Sequence, residues 1–367
     1  MTRTPGCDAS DPASRSLYPV PTRTFIAARV DERFNRAVER IARRAGWQEH
    51  IISYVGYGNH KHIRVLGRLG LQPRPVEGIV GQEVERLLVR RGWRNFFTVA
   101  CVSRPVKISL DDREYEVVTD NQGYIDTQIT EHGLDPGWHT VQISTPEADP
   151  TAADVLVVAK DVTFGIISDL DDTVISTYLP RPLIAAWNSL VLTENARQAV
   201  AGMSELYRSI LDDNPGAPIV YVSTGAWNTL PFLRRFLHRN RFPSGPLLLT
   251  DWGPTNTGWF RSGLEHKRSA LRQLARDFPK ISWLLIGDDG QHDPMIYGEF
   301  AAYAPKRVRG IAIRQLNPVE QVLAHGLPLE RLDTEWAEDL SSTVPRIEGP
   351  DGYTLRDKID RVTGSGQ

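Results

Sequence analysis

The stretch Phe164–Thr177, FGIISDLDDTVIST, runs from an apolar strand straight into three carboxylates, Asp169, Asp171 and Asp172. Like charges that close repel, so a purely structural reason for the cluster is hard to find. A metal ion or a phosphate group would account for it. Working outward from this stretch, short apolar runs alternate with amphipathic ones. The strand-like runs are TFGIIS, PIVYVS, PLLLT, SWLLIG and VRGIAI. Helical patterns lie between them at Glu194–Leu211, Thr229–His238, His266–Phe278 and Asp293–Tyr303. Near-continuous apolar strands are expected where helices cover both sheet faces. Repeated strand–helix units predict an α/β domain with a parallel, doubly wound sheet. Such sheets bind ligands at the carboxyl ends of their strands.

Polar residues gather at those ends. The first strand closes in Asp169-Leu170-Asp171-Asp172-Thr173 and the second in Ser223-Thr224-Gly225. Lys267 opens the helix after the third, and the fourth closes in Gly287-Asp288-Asp289-Gly290 with Asp293 beyond it. For Ser223 a strand end or helix cap competes with a binding role, and for Lys267 an exposed helix position does. Asp172 reads as a turn or cap residue and His292 as an ordinary loop residue. Asp293, before Pro294, also fits a simple N-cap.

Upstream the character differs. The first residues, through about Thr22, are rich in Pro, Ser and Thr and are expected to be flexible. DERFNRAVERIARRAG places Phe34, Val38, Ile41 and Ala42 on one helical face, with arginines around the rest. A docked helix with a solvated basic face and a membrane-surface helix both fit. Short alternating runs from Ile51 to about Lys160 predict a smaller β-sandwich-like domain. The predicted organisation is a flexible N-terminus and amphipathic helix over 1–50, the β-rich domain over 51–160, the α/β domain over 161–330 and a tail over 331–367.

The 367 residues allow two domains, and the net charge of −2 speaks against bulk nucleic-acid binding. The two cysteines make no disulfide framework and favour a reducing compartment. No apolar run reaches membrane-spanning length, and the start of the chain lacks a signal-peptide core. A soluble, cytoplasmic protein is expected, meeting a membrane only peripherally at its inner surface.

The four strand-end elements resemble the haloacid-dehalogenase-like superfamily of phosphotransferases. DLDDT matches its DxDxT motif, YVS its strand-Ser/Thr motif, Lys267 its basic motif and GDDGQHD its acidic motif. The resemblance implies Asp169 as nucleophile, forming an aspartyl-phosphate, and Asp171 as acid and base. It implies Mg²⁺ held by Asp169, the carbonyl of Asp171 and Asp288, with Asp289 or Asp293 in support; we take Asp293. Ser223 and Lys267 would bind phosphoryl oxygens, with Thr173 bracing the loop beside them. The chemistry is coherent, because a phosphate ester repels an anionic nucleophile until a cation neutralises it.

ISDLDDTVIST, GMSELYRSI, YVSTGAWNTL, GLEHKRSAL and IGDDGQHDPMIYGEF resemble more narrowly the catalytic domain of the actin-patch phosphatidate phosphatases, relatives of the lipins. That likeness implies Mg²⁺-dependent removal of phosphate from phosphatidate, giving diacylglycerol. The chain reads Thr224-Gly225-Ala226-Trp227 where that family often has Ser-Pro-Trp, which weakens the inference to one substrate. It also lacks the actin-related tails of fungal members, so no actin role is expected. The gap from Thr173 to Glu194 is roughly twenty residues, too short for a cap domain, so an open site facing a phospholipid surface is expected. Trp252, Trp259, Phe260 and Arg261 fit a membrane-facing rim or packing between loop and sheet. The same chemistry on a phosphoprotein, nucleic-acid end or soluble phosphometabolite is the alternative, and an inactive binding module is the third reading.

Overall fold

The computed structural model describes residues 26–73, 98–177, 197–250, 263–290, 292–318, 320–321 and 344–363. Its α/β part is built on a six-stranded parallel sheet. The strands are β10 (Phe164–Ser168), β13 (Ile219–Ala226), β14 (Leu247–Thr250), β15 (Ser282–Asp288), β16 (Val308–Arg314) and β17 (Arg346–Gly349). Their spatial order is β14-β13-β10-β15-β16-β17. The chain steps outward from β10 in one direction through β13 and β14, then returns to β15 on its other side. That reversal opens a crevice at the carboxyl ends of β10 and β15.

Among the described residues five helices accompany this sheet: α2 (Met203–Asp213), α3 (Leu230–Arg239), α4 (Gly263–Asp277), α5 (Asp293–Tyr303) and α6 (Gly352–Thr363). In α3 and α4 the inward face follows the apolar spacing, through Leu230, Leu233 and Leu237 in the one and Ala270, Leu271 and Leu274 in the other. Trp283 in β15 is fully buried and meets Phe278 edge-on, ring centres 5.8 Å apart. Burying one such side chain contributes about 1.5–3 kcal/mol, so the core at β15 anchors the strand that carries Asp288.

The helix expected over Glu194–Leu211 is a correction. Residues Arg197–Ala199 form strand β12, paired antiparallel with β11 (Ile175–Thr177), and α2 starts only at Met203. Gly202 makes the break. It sits at φ 72°, and a side chain there would meet the Tyr353 backbone nitrogen at 2.6 Å, so only glycine fits. Residues 344–363, read as part of a tail, add β17 to the sheet edge and pack Leu355 into the core.

Among the described residues the upstream part contains α1 (Ile26–Arg44) and nine strands. These are β1 (Gln48–Ser53), β2 (Gly56–Asn59), β3 (His62–Gln72), β4 (Val99–Ala100), β5 (Pro105–Leu110), β6 (Arg113–Val118), β7 (Tyr124–Thr130), β8 (Gly137–Ser144) and β9 (Thr151–Val158). All nine join one hydrogen-bonded sheet, with the long β3 pairing to β1, β2, β4 and β7. Ile63, Val65, Leu69, Ile108, Val141 and Ile143 fill its separate core.

The expected apolar face of α1 is also corrected. Ile41 is 66% exposed, whereas Glu39 and Ala42 are buried. Ala42 packs in the β-rich core as expected, and beside it the helix docks through a polar network. Arg43 bonds Glu39, Glu49 and Glu147, and Arg104 bonds Glu49 and Glu147. The two parts meet along a seam. Tyr54 stacks on Trp227, ring centres 4.0 Å apart and 7° from parallel, and Tyr57 donates to Asp277 Oδ2 at 3.2 Å.

Candidate active site

Asp169 sits where β10 runs out. Its N–H donates to Ile286 O at 2.9 Å, so the parallel ladder with β15 carries one residue past the strand. The chain then turns sharply. Leu170 O accepts from the N–H groups of both Val174 and Ile175, and Asp172 takes the left-handed φ of 57°. This turn buries Asp169, leaves Asp171 half-buried and brings Thr173 back beneath them. The Thr173 hydroxyl reaches Asp169 Oδ2 at 3.4 Å and Asp288 Oδ2 at 3.5 Å.

The other strand ends converge on the same point. The strand expected to close at Ser223 runs on to Ala226, and Ser223, in the carboxyl half of β13, donates to Asp171 Oδ2 at 2.9 Å and accepts from Gly225 N–H. Lys267 lies buried on α4, its Nζ 2.7 Å from Asp169 Oδ1 and 2.5 Å from Asp293 Oδ1. Asp288 closes β15 and accepts from Gly290 N–H at 2.7 Å. Asp293 is the first residue of α5. Gly287 lets it approach, since a side chain at 287 would meet Asp293 Oδ2 at 2.5 Å.

Asp169, Asp288 and Asp293 each offer a carboxylate oxygen within 4.8 Å of the others, and all three are buried. Asp289, the competitor to Asp293, turns away and accepts from Leu316 N–H at 2.8 Å. His292 is exposed. The geometry therefore gathers Asp169, Asp171, Thr173, Ser223, Lys267, Asp288 and Asp293, and leaves Asp289 and His292 outside. Trp252, Trp259, Phe260 and Arg261 lie outside the described residues. Trp227 belongs to the seam with Tyr54.

Electrostatically the cluster is short of positive charge. Three carboxylates face one ammonium. Burial raises Asp169 well above the usual carboxylate range; Lys267 pulls it down, while Asp293 and Asp171 push it further up. Burial, then Asp293 and Asp169, raise Asp288 in the same way. Lys267 is held above its ordinary range, because the charges of Asp169, Asp293 and Asp288 outweigh its burial. Asp293 Oδ2 has no hydrogen-bond partner among the described residues. Hard carboxylate oxygens, surplus negative charge and an orphaned buried oxygen together fit a small divalent cation.

Several supporting residues carry no obvious sequence signal. Arg314 ends β16 and donates to Asp172 O at 2.6 Å, while pairing with Glu320 at 2.6 Å. Glu320 also accepts from Ser176 at 3.0 Å. This chain clamps the turn that carries Asp169. A lone charge closing the apolar run VRGIAI was the available clue. Arg197 is buried on β12 near Asp171, its guanidinium 4.4 Å from the Phe232 ring centre. Ser168 exchanges a 2.6 Å hydrogen bond with Tyr207 below Asp169.

Residues 164–315 match the family model of the catalytic domain of phosphatidate phosphatase APP1. Over 153 residues the chain is 30% identical to an uncharacterized protein of Schizosaccharomyces pombe, covering 41% of this chain and 25% of that protein. Over 163 residues it is 28% identical to phosphatidate phosphatase APP1 of Saccharomyces cerevisiae, covering 44% of this chain and 27% of that protein. The chain thus spans about a quarter of the length of these curated relatives. Among solved structures, the HAD domain of effector protein Lem4 from Legionella pneumophila overlaps 42% of this chain and 85% of its own, at 12% identity and a TM-score of 0.28. Across residues 164–315 the chain is a relative of phosphatidate phosphatases, and its α/β domain is phosphatidate-phosphatase-like.

Proposed function

We propose that this protein is a Mg²⁺-dependent phosphatase that works through an aspartyl-phosphate, with phosphatidate or a related lipid phosphate as substrate and diacylglycerol and phosphate as products. The observation that carries this reading is the buried cluster of Asp169, Asp288, Asp293 and Lys267 at the carboxyl ends of the parallel strands. The match of residues 164–315 to a phosphatidate phosphatase catalytic domain supports the substrate class.

Asp169, Asp288 and Asp293, with the carbonyl of Asp171, would hold the cation. Bound there, Mg²⁺ supplies the charge neutralisation that lets an anionic nucleophile approach a phosphate ester. Asp169 attacks phosphorus, and the bond to the leaving oxygen breaks. Asp171, half-buried on the turn, gives its proton to the departing alkoxide. It then takes a proton from the water that splits the acyl phosphate, which restores Asp169 and releases inorganic phosphate. Ser223 and Lys267 hold the phosphoryl oxygens, Lys267 as a compact point charge. Thr173 keeps the turn braced against Asp288.

In this reading the α/β domain is a capless, doubly wound sheet of the haloacid-dehalogenase-like kind. The reversal of strand order about β10 and β15 supports it. The segments 178–196 and 251–262 are each shorter than a domain by ordinary size limits, which leaves neither the length of a cap domain. Among the described residues no helix is long and apolar enough to cross a membrane; this reading has the protein meet lipid peripherally, from the cytoplasmic side. The β-rich part is then a sandwich-like support for the catalytic domain.

The test is phosphate release from phosphatidate in mixed micelles, with and without Mg²⁺, beside a water-soluble phosphomonoester. Release from the lipid that requires Mg²⁺ supports the whole reading. Release from the soluble ester alone keeps the chemistry and removes the lipid. Release from neither removes both substrates and turns the reading to a phosphoprotein or nucleic-acid end, and then to an inactive binding module.

A further inference from the structure

A second pocket lies at the seam, at the amino ends of β10 and β15 and so at the opposite end of the sheet from Asp169. Its volume is ≈ 340 Å³. Residues of both parts line it. Val158, Phe278 and Ile281 give it a buried apolar wall. His60, Lys61, Lys160 and Lys280 stand exposed around it. Lys280 Nζ donates to Lys160 O at 3.3 Å, which draws two of these cations onto one rim.

No carboxylate pairs with these three lysines within 4.0 Å among the described residues. Asp277, the acid in the pocket lining, already accepts from Tyr57 and Gln273. Asp161 follows Lys160 but makes no ion pair with it. Desolvation by its neighbours, then the charges of Lys160, Lys61 and Lys280, hold His60 below the ordinary imidazole range. Like charges crowded around an apolar hollow repel one another, and an anion would relieve them.

We infer that this seam pocket binds a single-chain fatty-acid anion from solution, with the chain against Val158, Phe278 and Ile281 and the carboxylate among Lys61, Lys160 and Lys280. Size favours one short chain over a two-chain bilayer lipid, since ligand pockets run from about 300 to 1,000 Å³ and this one is at the small end. Position also favours a free molecule. On the proposed reading a bilayer would meet the carboxyl end of the sheet, and this end is out of its reach. Because both parts line the pocket, the occupant would tie the β-rich part to the α/β domain.

The test is calorimetric titration of the full chain with decanoate below its micelle concentration, with decanol as the uncharged probe. Saturable one-to-one binding of decanoate, at least about tenfold tighter than decanol, is expected, as is the loss of about that factor in the double variant Lys160→Glu, Lys280→Glu. Both lysines are exposed, so the variant should unfold at the wild-type temperature without ligand. Decanoate should also raise the unfolding temperature of wild type and not of the variant. Equal binding of decanol, unchanged binding by the folded variant, or no binding of decanoate would each overturn the inference.

Discussion

Lys267 Nζ lies 2.7 Å from Asp169 Oδ1, and both side chains are closed off from solvent. The same ammonium reaches Asp293, so one cation from α4 ties the end of β10 to the start of α5. Removing one partner of a buried pair leaves uncompensated charge, at about 3–5 kcal/mol. Lys267→Met should therefore lose stability of that order in urea unfolding without divalent cation, because three carboxylates then face one another. Mg²⁺ should recover much of it. Phosphate release should still fall by at least about a hundredfold, since the point charge on the phosphoryl group is gone. A variant as stable as wild type without Mg²⁺ would mean the cluster is already neutral.

Asp293 and Asp289 separate cleanly. Asp293 joins the buried carboxylates with one oxygen unpartnered among the described residues, whereas Asp289 accepts from Leu316 N–H. Mg²⁺ should raise the unfolding temperature of wild type by mass action on the folded state. Asp293→Asn should abolish that rise at the same Mg²⁺ concentration. Asp289→Asn should keep it and cost only about 1 kcal/mol of intrinsic stability, the worth of one hydrogen bond. The reverse pattern would move the metal to Asp289.

Glu49 predicts an acid limit for the β-rich part. Burial pushes its carboxyl up, but hydrogen bonds from Arg43 and Thr145 and the charges of Arg104 and Arg43 bring it below its ordinary value of 4.5. A carboxyl lowered on folding stabilises fully above that ordinary value, and the contribution fades as pH falls through the lower folded value. Unfolding curves should therefore weaken below about pH 4.5 in wild type. Glu49→Gln should be less stable at neutral pH by about 1–3 kcal/mol and flatter over the acid range. An identical acid slope in both proteins would remove Glu49 as the cause.

The seam rests on Trp227 lying flat on Tyr54. Stacked pairs contribute about 0.5–1.5 kcal/mol beyond their buried area. Trp227→Ala and Tyr54→Ala should each destabilise, and the double variant should cost less than the sum by about that coupling. Additive losses would show the rings to be independent.

The strand-end chemistry was legible because it depends on local order. An apolar run followed by Asp169 and Asp171, and another followed by Asp288, place carboxylates at strand ends whatever surrounds them. The strand alternation of β5 to β9 was legible for the same reason. The misread parts depend on distant contacts. Ile41 lies outward because Glu39 and Arg43 find partners at Val102 and Glu147, far along the chain, as well as at nearby Glu49. The break before α2 follows from Gly202 meeting Tyr353, which no local pattern encodes. Arg314 clamps the Asp169 turn from more than a hundred residues away. The choice between Asp289 and Asp293 likewise required the path of Leu316.

The central claim is that Asp169 carries the phosphoryl group. The most direct measurement is acid quenching of the full chain during turnover of phosphatidate with Mg²⁺, followed by mass mapping of the peptide that spans 164–177. The account predicts an acid-stable, base-labile phosphate on Asp169. It also predicts no modified peptide, and release lowered by at least about a thousandfold, in folded Asp169→Asn. Steady phosphate release from Asp169→Asn, or phosphate trapped on another residue, would contradict it.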